Sequence, residues 1–343
     1  MSNTFKALVA RMESNEFKVS VQNRSIEDLP EGNTIIEVKY SSLNYKDGMA
    51  ISGNKGKILR DLPMSPGIDA AGIVKKSEDT TFSAGDEVLL TGWGFGETHS
   101  GGYSQVIRVN SDWLVKKPKN ISLKHSMSIG TAGLTAMLCV MDLENAGMQP
   151  SGNILVTGAS GGVGNISIML LSKLGYSVTA VTGRPELESY LKDIGATNII
   201  ARDEILEMTR PLNPIKWSGA IDTTGGEILS NLISAIDFEG SVACCGNAAG
   251  IKLSTTVIPL ILRGVNLLGI NSVHCPIEKR VVAWNRLSEL ISHDEFEEVT
   301  QEITLDNIDK AANDILAGQI RGRTVINTDP ELKGDYQEIF KGN

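Results

Sequence analysis

The run Ile154-Leu-Val-Thr-Gly158-Ala-Ser160-Gly161-Gly162-Val163-Gly164 limits the possible folds more than any other feature of the chain. An apolar stretch of strand length enters a glycine cluster, and helical spacing follows from Gly162 to Leu174. Further strand-like runs then recur at Ser177–Val181, Asn198–Ala201, Gly219–Asp222, Ser241–Cys245 and Val265–Ile270. Helical stretches separate them at Glu186–Ile194, Glu227–Ile236 and Ile258–Arg263. Strands alternating with helices predict a parallel α/β sheet, and right-handed crossovers predict the doubly wound order 3-2-1-4-5-6.

The glycine loop has a chemical reading. A strand that ends in glycines and opens a helix points backbone N–H groups and the positive helix end at a pyrophosphate. Gly158 allows the tight turn, Gly161, Gly162 and Val163 with Ser160 form the cradle, and Gly164 lets helix and strand pack closely. The alternative is a glycine-rich turn with no ligand. At the end of the second strand, where an NAD site would carry a carboxylate for the ribose 2′-hydroxyl, the chain has Thr182-Gly183-Arg184. A guanidinium grips a 2′-phosphate, whereas a carboxylate repels it, so the expected cofactor is NADPH rather than NADH, the alternative being that Arg184 is a solvated turn residue beside Glu186. Arg202, after the third strand, is a second candidate near the adenine ribose. Thr223, Gly246, Ile270 and Asn271 end or follow the fourth to sixth strands, where ligands of such sheets bind.

Upstream of about Ser126 the texture differs. Short strands at Ile35–Tyr40, Ile73–Lys75 and Glu87–Leu90 stand between Gly and Pro turns. After Ser272 come a long helix (Ile277–Ser292), a shorter one (Ile308–Ala317) and a strand (Arg323–Asn327), followed by a peripheral tail from Asp329. The expected organisation is residues 126–273 as a nucleotide-binding domain inserted into a mainly β domain of residues 1–125 plus 274–343. With 343 residues the chain suits two domains, and 41% hydrophobic and 21% charged residues suit a soluble globular protein. A net charge of −9 argues against a nucleic-acid partner. No apolar run is read as a membrane span, and Cys139, Cys244, Cys245 and Cys275 are read as reduced thiols, so the expected location is cytoplasmic.

The motifs Leu43-Asn44-Tyr45-Lys46-Asp47, Pro66-Gly67-Ile68-Asp69-Ala70-Ala71-Gly72, Gly85-Asp86-Glu87-Val88 and Ile129-Gly130-Thr131-Ala132-Gly133, with the glycine loop, resemble a medium-chain dehydrogenase/reductase. The resemblance spans essentially the whole chain and implies a Rossmann sheet inserted in a GroES-like domain. The zinc enzymes of that family carry Cys where this chain has Asn44 and Gly-His-Glu where it has Gly67-Ile68-Asp69, and the four-cysteine lobe is missing, so no metal is expected. His99, His125, His274 and His293 show no ligand spacing and are read as ordinary surface or packing residues. Leu90-Thr-Gly-Trp-Gly-Phe-Gly-Glu97 and Thr131-Ala-Gly-Leu-Thr-Ala-Met-Leu-Cys139 are similar to the zinc-free acrylyl-CoA reductases.

That resemblance implies NADPH-dependent reduction of the double bond of a short enoyl-CoA. Reduction of a quinone or a free enone, or a non-catalytic NADPH-binding role, are the alternatives. Tyr45 is expected to hydrogen-bond the developing enolate oxygen or donate a proton, the alternative being packing beside the nicotinamide while water protonates. Asn44 either orients cofactor or substrate or caps a helix, and Asp47 and Asp69 tie the turn. Thr131 resembles the family position near the nicotinamide. Lys55, Lys57 and Arg60 are either contacts for the coenzyme A phosphates or a solvated basic loop. The family also implies a homodimer formed through the sixth strand.

Overall fold

A computed structural model describes residues 4–328. The expected peripheral tail from Asp329 lies outside these residues. Two compact units result: one from residues up to Thr131 and from Val273 onward, the other from Ala132–Ser272.

In the first unit β1 (Thr4–Glu13) and β2 (Glu16–Ser25) pair as an antiparallel hairpin. Ser14 and Asn15 make its turn at φ of 50° and 66°, which suits the right-handed twist of the strands. β3 (Thr34–Ser42), α1 (Tyr45–Ile51), β4 (Asp69–Ser77), β5 (Glu87–Thr91), β6 (Val106–Val109), β7 (Leu114–Lys116) and α2 (Leu123–Asn145) follow. The units divide inside α2, just after Gly130, whose φ of 50° and ψ of −158° kink the helix.

The second unit runs β8 (Asn153–Val156), α3 (Gly162–Lys173), β9 (Ser177–Thr182), α4 (Glu188–Asp193), β10 (Asn198–Ala201), α5 (Arg202–Leu206), β11 (Trp217–Asp222), α6 (Gly226–Leu232), β12 (Ile236–Cys244), α7 (Ile258–Arg263) and β13 (Asn266–Gly269). Its six strands are all parallel to their neighbours in the order β10-β9-β8-β11-β12-β13, the expected 3-2-1-4-5-6. Leu155, Val181, Trp217, Leu232, Ile236 and Val242 form its core. Each such side chain, once buried, stabilises the fold by about 1.5–3 kcal/mol.

The chain then returns to the first unit as α8 (Ile277–Leu290), α9 (His293–Val299), β14 (Thr300–Thr304), α10 (Ile308–Leu316) and β15 (Arg323–Asn327). β15 pairs antiparallel with β3 and parallel with β14, so the tail completes the seven-stranded sheet β14-β15-β3-β4-β5-β7, with β6 also on β3. Buried Arg280 fastens this return. Its guanidinium donates to Thr91 O at 2.8 Å, Thr91 Oγ1 at 2.7 Å and Val273 O at 3.3 Å, and lies 5.2 Å from the Trp93 ring.

Some boundaries depart from the sequence reading. The helix expected through Ile236 ends at Leu232, and Ile236 opens β12. α5, α9 and β14 were not anticipated. The first two are only 5 and 7 residues long, and β14 is polar and takes strand form by pairing with β15. α2 corrects the membrane reading: it is long and apolar enough to span a bilayer (mean hydropathy 1.4), but 89% of that stretch is buried inside the protein.

Candidate functional site

In the second unit the glycine loop leaves β8 and opens α3. Gly158 adopts φ of 59°, and a Cβ there would collide with Thr223 Oγ1. A Cβ on Gly164 would strike the Gly158 carbonyl, and one on Gly246 would strike that of Thr223. Gly161 is the N-cap of α3 and donates its own N–H to Gly158 O at 2.9 Å, whereas Gly162 and Val163 form the first turn, where N–H groups have no carbonyl one turn earlier to accept them. Side chains hold the loop from behind. Tyr190 donates its hydroxyl to Asn165 Oδ1, and Asn165 Nδ2 donates to Ala159 O at 3.0 Å. Buried Asp222 accepts from Thr157 Oγ1 at 2.7 Å, Thr224 Oγ1 at 2.9 Å and Gly225 N at 2.7 Å, joining this loop to the end of β11. Thr223 lies in the same junction, its N–H on Thr157 Oγ1 at 3.0 Å and its hydroxyl on Thr157 O at 2.9 Å.

The 2′-phosphate candidates come together at the rim of this cradle. Arg184 Nη2 donates to Ser160 Oγ at 2.5 Å, so the guanidinium reaches back over the glycine loop. Thr182 Oγ1 accepts the Arg184 N–H at 3.0 Å and sets the turn. The Arg202 guanidinium lies so close to Gly183 that a Cβ there would sit 3.5 Å from its Cζ. Two cations and two hydroxyls thus face one corner, and a phosphate fits that donor set. Ile270 extends the ladder by donating its N–H to Cys244 O at 3.0 Å, which puts exposed Asn271 just past the sheet. Burial, then the Asp222 charge, pushes the Cys244 thiol up to about 11, and the bond to Cys245 raises Cys139 well above its usual range. Neither is an activated nucleophile.

In the first unit Asn44 is the N-cap of α1 and Tyr45 its first residue. Asp47 Oδ2 accepts from Asn44 N at 2.9 Å, and its Oδ1 accepts from Ile68 N at 3.0 Å. Asn44 Nδ2 donates to Asp69 Oδ2 at 2.8 Å and Asp47 Oδ2 at 3.2 Å, bridging two buried carboxyl groups. Asp69 also accepts from Ser42 Oγ at 2.5 Å, Thr131 N at 2.9 Å and Thr131 Oγ1 at 2.5 Å. Buried Arg323 donates to Ser42 Oγ at 3.1 Å and Ser128 O at 2.8 Å, and Tyr103 donates to Ser42 O at 3.1 Å. Burial, then the Asp69 charge, pushes the Asp47 carboxyl up to about 7.

Asn44, Thr131, Asp47 and Asp69 therefore share one buried network, while the Tyr45 side chain above it is 43% exposed. Arg280, Arg323, Tyr103 and Asn165, all buried, and half-buried Tyr190 went unnoticed in the sequence, because a polar residue that is buried by distant segments carries no local pattern.

Lys55, Lys57 and Arg60 lie apart from that network on the loop after α1, all three exposed and with no ion pair among the described residues. The loop is shaped by left-handed backbone at Asn54 (49°) and Lys57 (51°). Asn54 braces it, accepting from Leu59 N at 2.8 Å and donating to Leu59 O at 2.9 Å.

The alcohol dehydrogenase GroES-like domain family matches residues 30–119, and the zinc-binding dehydrogenase family matches residues 162–291. An acrylyl-CoA reductase of Ruegeria pomeroyi is 47% identical over 94% of this chain and 98% of its own length. The yhdH oxidoreductase of Salmonella enterica, solved in complex with NADP, superposes with a TM-score of 0.92 at 47% identity, covering 94% of this chain and 100% of that one. The yhfP protein of Bacillus subtilis, solved with NAD bound, gives 0.91 at 43% identity over 95% of this chain and 100% of its own. The chain belongs to the medium-chain dehydrogenase/reductases, in the quinone oxidoreductase-like branch that includes acrylyl-CoA reductases.

The zinc that one family description implies does not fit the residues present. Asn44 turns N–H groups toward the carboxylates, Ile68 has no donor atom, and four hydrogen-bond donors already engage the Asp69 oxygens.

Proposed function

We propose that the protein is a cytoplasmic, zinc-independent reductase that uses NADPH to saturate the double bond of a short 2-enoyl-CoA, acrylyl-CoA foremost. The observation that carries this reading is the turn at Asn44. An amide bridges Asp47 and Asp69 where a metal enzyme needs a cation, and an exposed phenol begins the helix above it. Without a Lewis acid a simple ketone is a poor acceptor, whereas a conjugated thioester spreads the incoming charge into an enolate.

When bound, NADPH supplies the hydride. The loop from Gly158 to Val163 holds its pyrophosphate, Ser160, Thr182, Gly183, Arg184 and Arg202 its 2′-phosphate end, and Thr131, Thr223, Gly246, Ile270 and Asn271 its nicotinamide side. Tyr45 directs its hydroxyl at the thioester oxygen and stabilises the enolate, a preorganised donor of the kind that contributes most in a dry site. Asn44 keeps Tyr45 in place through α1. Lys55, Lys57 and Arg60 attract the coenzyme A phosphates. The free thiols Cys139, Cys244, Cys245 and Cys275 agree with a reducing compartment.

A homodimer completes the reading. β13 is the edge strand of its sheet, and Leu267 on it is 40% exposed, with Ile261 at 68% and Leu262 at 57% on neighbouring α7. An apolar edge of this kind is usually covered, and a second copy pairing β13 with β13 closes it by two-fold symmetry.

The deciding assay presents acrylyl-CoA, crotonyl-CoA, a quinone and a free enone, each with NADPH and NADH, before and after exhaustive chelation. Preferred turnover of acrylyl-CoA with NADPH, untouched by chelation, is expected. Quinone or free enone as the best substrate would replace the reading, and preference for NADH would remove the role of Arg184.

A further inference from the structure

We infer that His125, His293 and Glu297 form a binding site for a divalent transition metal, zinc being the best fit, on the first unit and apart from the catalytic turn. His293 and Glu297 stand one helical turn apart on α9, but His125 is 172 positions from Glu297, so the sequence showed at most two of the three together. α2 brings His125 and α9 brings the other two, so that one ligand atom from each lies within 4.8 Å of the others.

The inner ligand is the better ordered. His125 is 2% exposed, its ring stacks on Phe296, and its Nε2 lies 3.0 Å from Glu297 Oε1. A tetrahedral ion with bonds of about 2.0–2.1 Å separates its ligand atoms by roughly 3.3 Å, close to that distance. The other ring nitrogen, Nδ1, is 2.8 Å from Ser122 Oγ. This outer partner fixes the ring with Nε2 facing the site, as it does for most metal-bound histidines. His293 meets His125 edge-on with ring centroids 3.8 Å apart, and its side chain, 65% exposed, has room to swing its nitrogen onto the ion.

Lys124 is the competitor. Its ammonium lies 3.1 Å from Glu297 Oε1, 3.2 Å from Glu297 Oε2 and 3.3 Å from Glu302. Glu302 can retain the lysine when Glu297 turns to a metal, and that exchange weakens binding. Two nitrogens and one carboxylate leave a fourth position for water. The ion would join the first part of this discontinuous unit to its last part, a structural link that leaves the chemistry at Tyr45 alone.

The test uses metal-stripped full-length protein titrated with zinc by calorimetry and with cobalt by visible absorption, comparing wild type with His293→Ala and Glu297→Gln. One ion per chain, tetrahedral cobalt bands and a zinc-dependent rise in Tm are expected for wild type. Each variant should bind at least roughly tenfold more weakly. His293→Ala, which changes an exposed side chain, should keep the metal-free Tm and the turnover of wild type. Equal binding by all three proteins would put the ion elsewhere and overturn the site, as would no binding by wild type in the micromolar range. Turnover that required the ion would also overturn it.

Discussion

The phenol of Tyr45 stands at the first position of α1, where the hydrogen bonds of Asn44 and Asp47 fix the backbone but leave the side chain half in solvent. Tyr45→Phe keeps the ring and removes only the hydroxyl. If that hydroxyl bonds the enolate, turnover of acrylyl-CoA should fall by roughly 10- to 100-fold, about 1.4–2.7 kcal/mol, with the NADPH Michaelis constant little changed. Steady-state kinetics decide it: unchanged turnover would make Tyr45 a packing residue, with water as the proton source. Arg184→Ala should raise the NADPH constant about tenfold, about 1.4 kcal/mol, and spare NADH; equal losses for both would deny it the 2′-phosphate. Asp47 is a stability group with a pH signature. Burial pushes its folded pKa up to about 7, above the ordinary aspartate range of about 4, so the folded state holds an extra proton between these values. Stability from this residue is therefore fully present below about pH 4 and is lost as pH rises through about 7. Urea unfolding at pH 5 and pH 8 should show that decline in wild type and a flatter dependence in Asp47→Asn; parallel curves would refute it.

Among the elements, the junction of β8 and α3 has the least tolerance. Gly164 lets the helix start against the Gly158 carbonyl, so Gly164→Ala must shift α3 or the loop that is proposed to hold the pyrophosphate. NADPH affinity should drop at least roughly tenfold while the circular dichroism of the folded protein is kept, because the atoms a Cβ would strike belong to Gly158 and Ala159 of the loop. Fluorescence titration measures this, and wild-type affinity in the variant would mean that the loop yields freely. The kink of α2 is similarly demanding, since a Cβ at Gly130 would lie 2.6 Å from Asp69 Oδ2 in a left-handed conformation.

For the whole molecule, the prediction concerns the exposed edge of the second unit. Ile261→Asp places a charge on the apolar surface beside β13, where a second copy is proposed to dock. Sedimentation should find wild type as a dimer and the variant shifted to monomer, with secondary structure unchanged. A monomeric wild type would reject the interface.

The parallel sheet, its strand order and the glycine loop were legible in the sequence. Strand-length apolar runs alternating with helical periods, and a glycine cluster at one junction, are local patterns that survive without any tertiary contact. Thr182-Gly183-Arg184 is proposed for the 2′-phosphate on the same kind of local signal, a short stretch beside a strand end. Long-range pairing decided the rest. The polar segment Thr300–Thr304 is a strand because β15 lies beside it, and Arg280 and Arg323 are buried because carbonyls and hydroxyls from distant segments converge on them. Only the fold shows that Asn44, the N-cap of α1, also brings its amide within 2.8 Å of Asp69. His125 and His293 meet only because two helices from opposite ends of the chain pack together, and no period or spacing in a sequence encodes a contact of that kind.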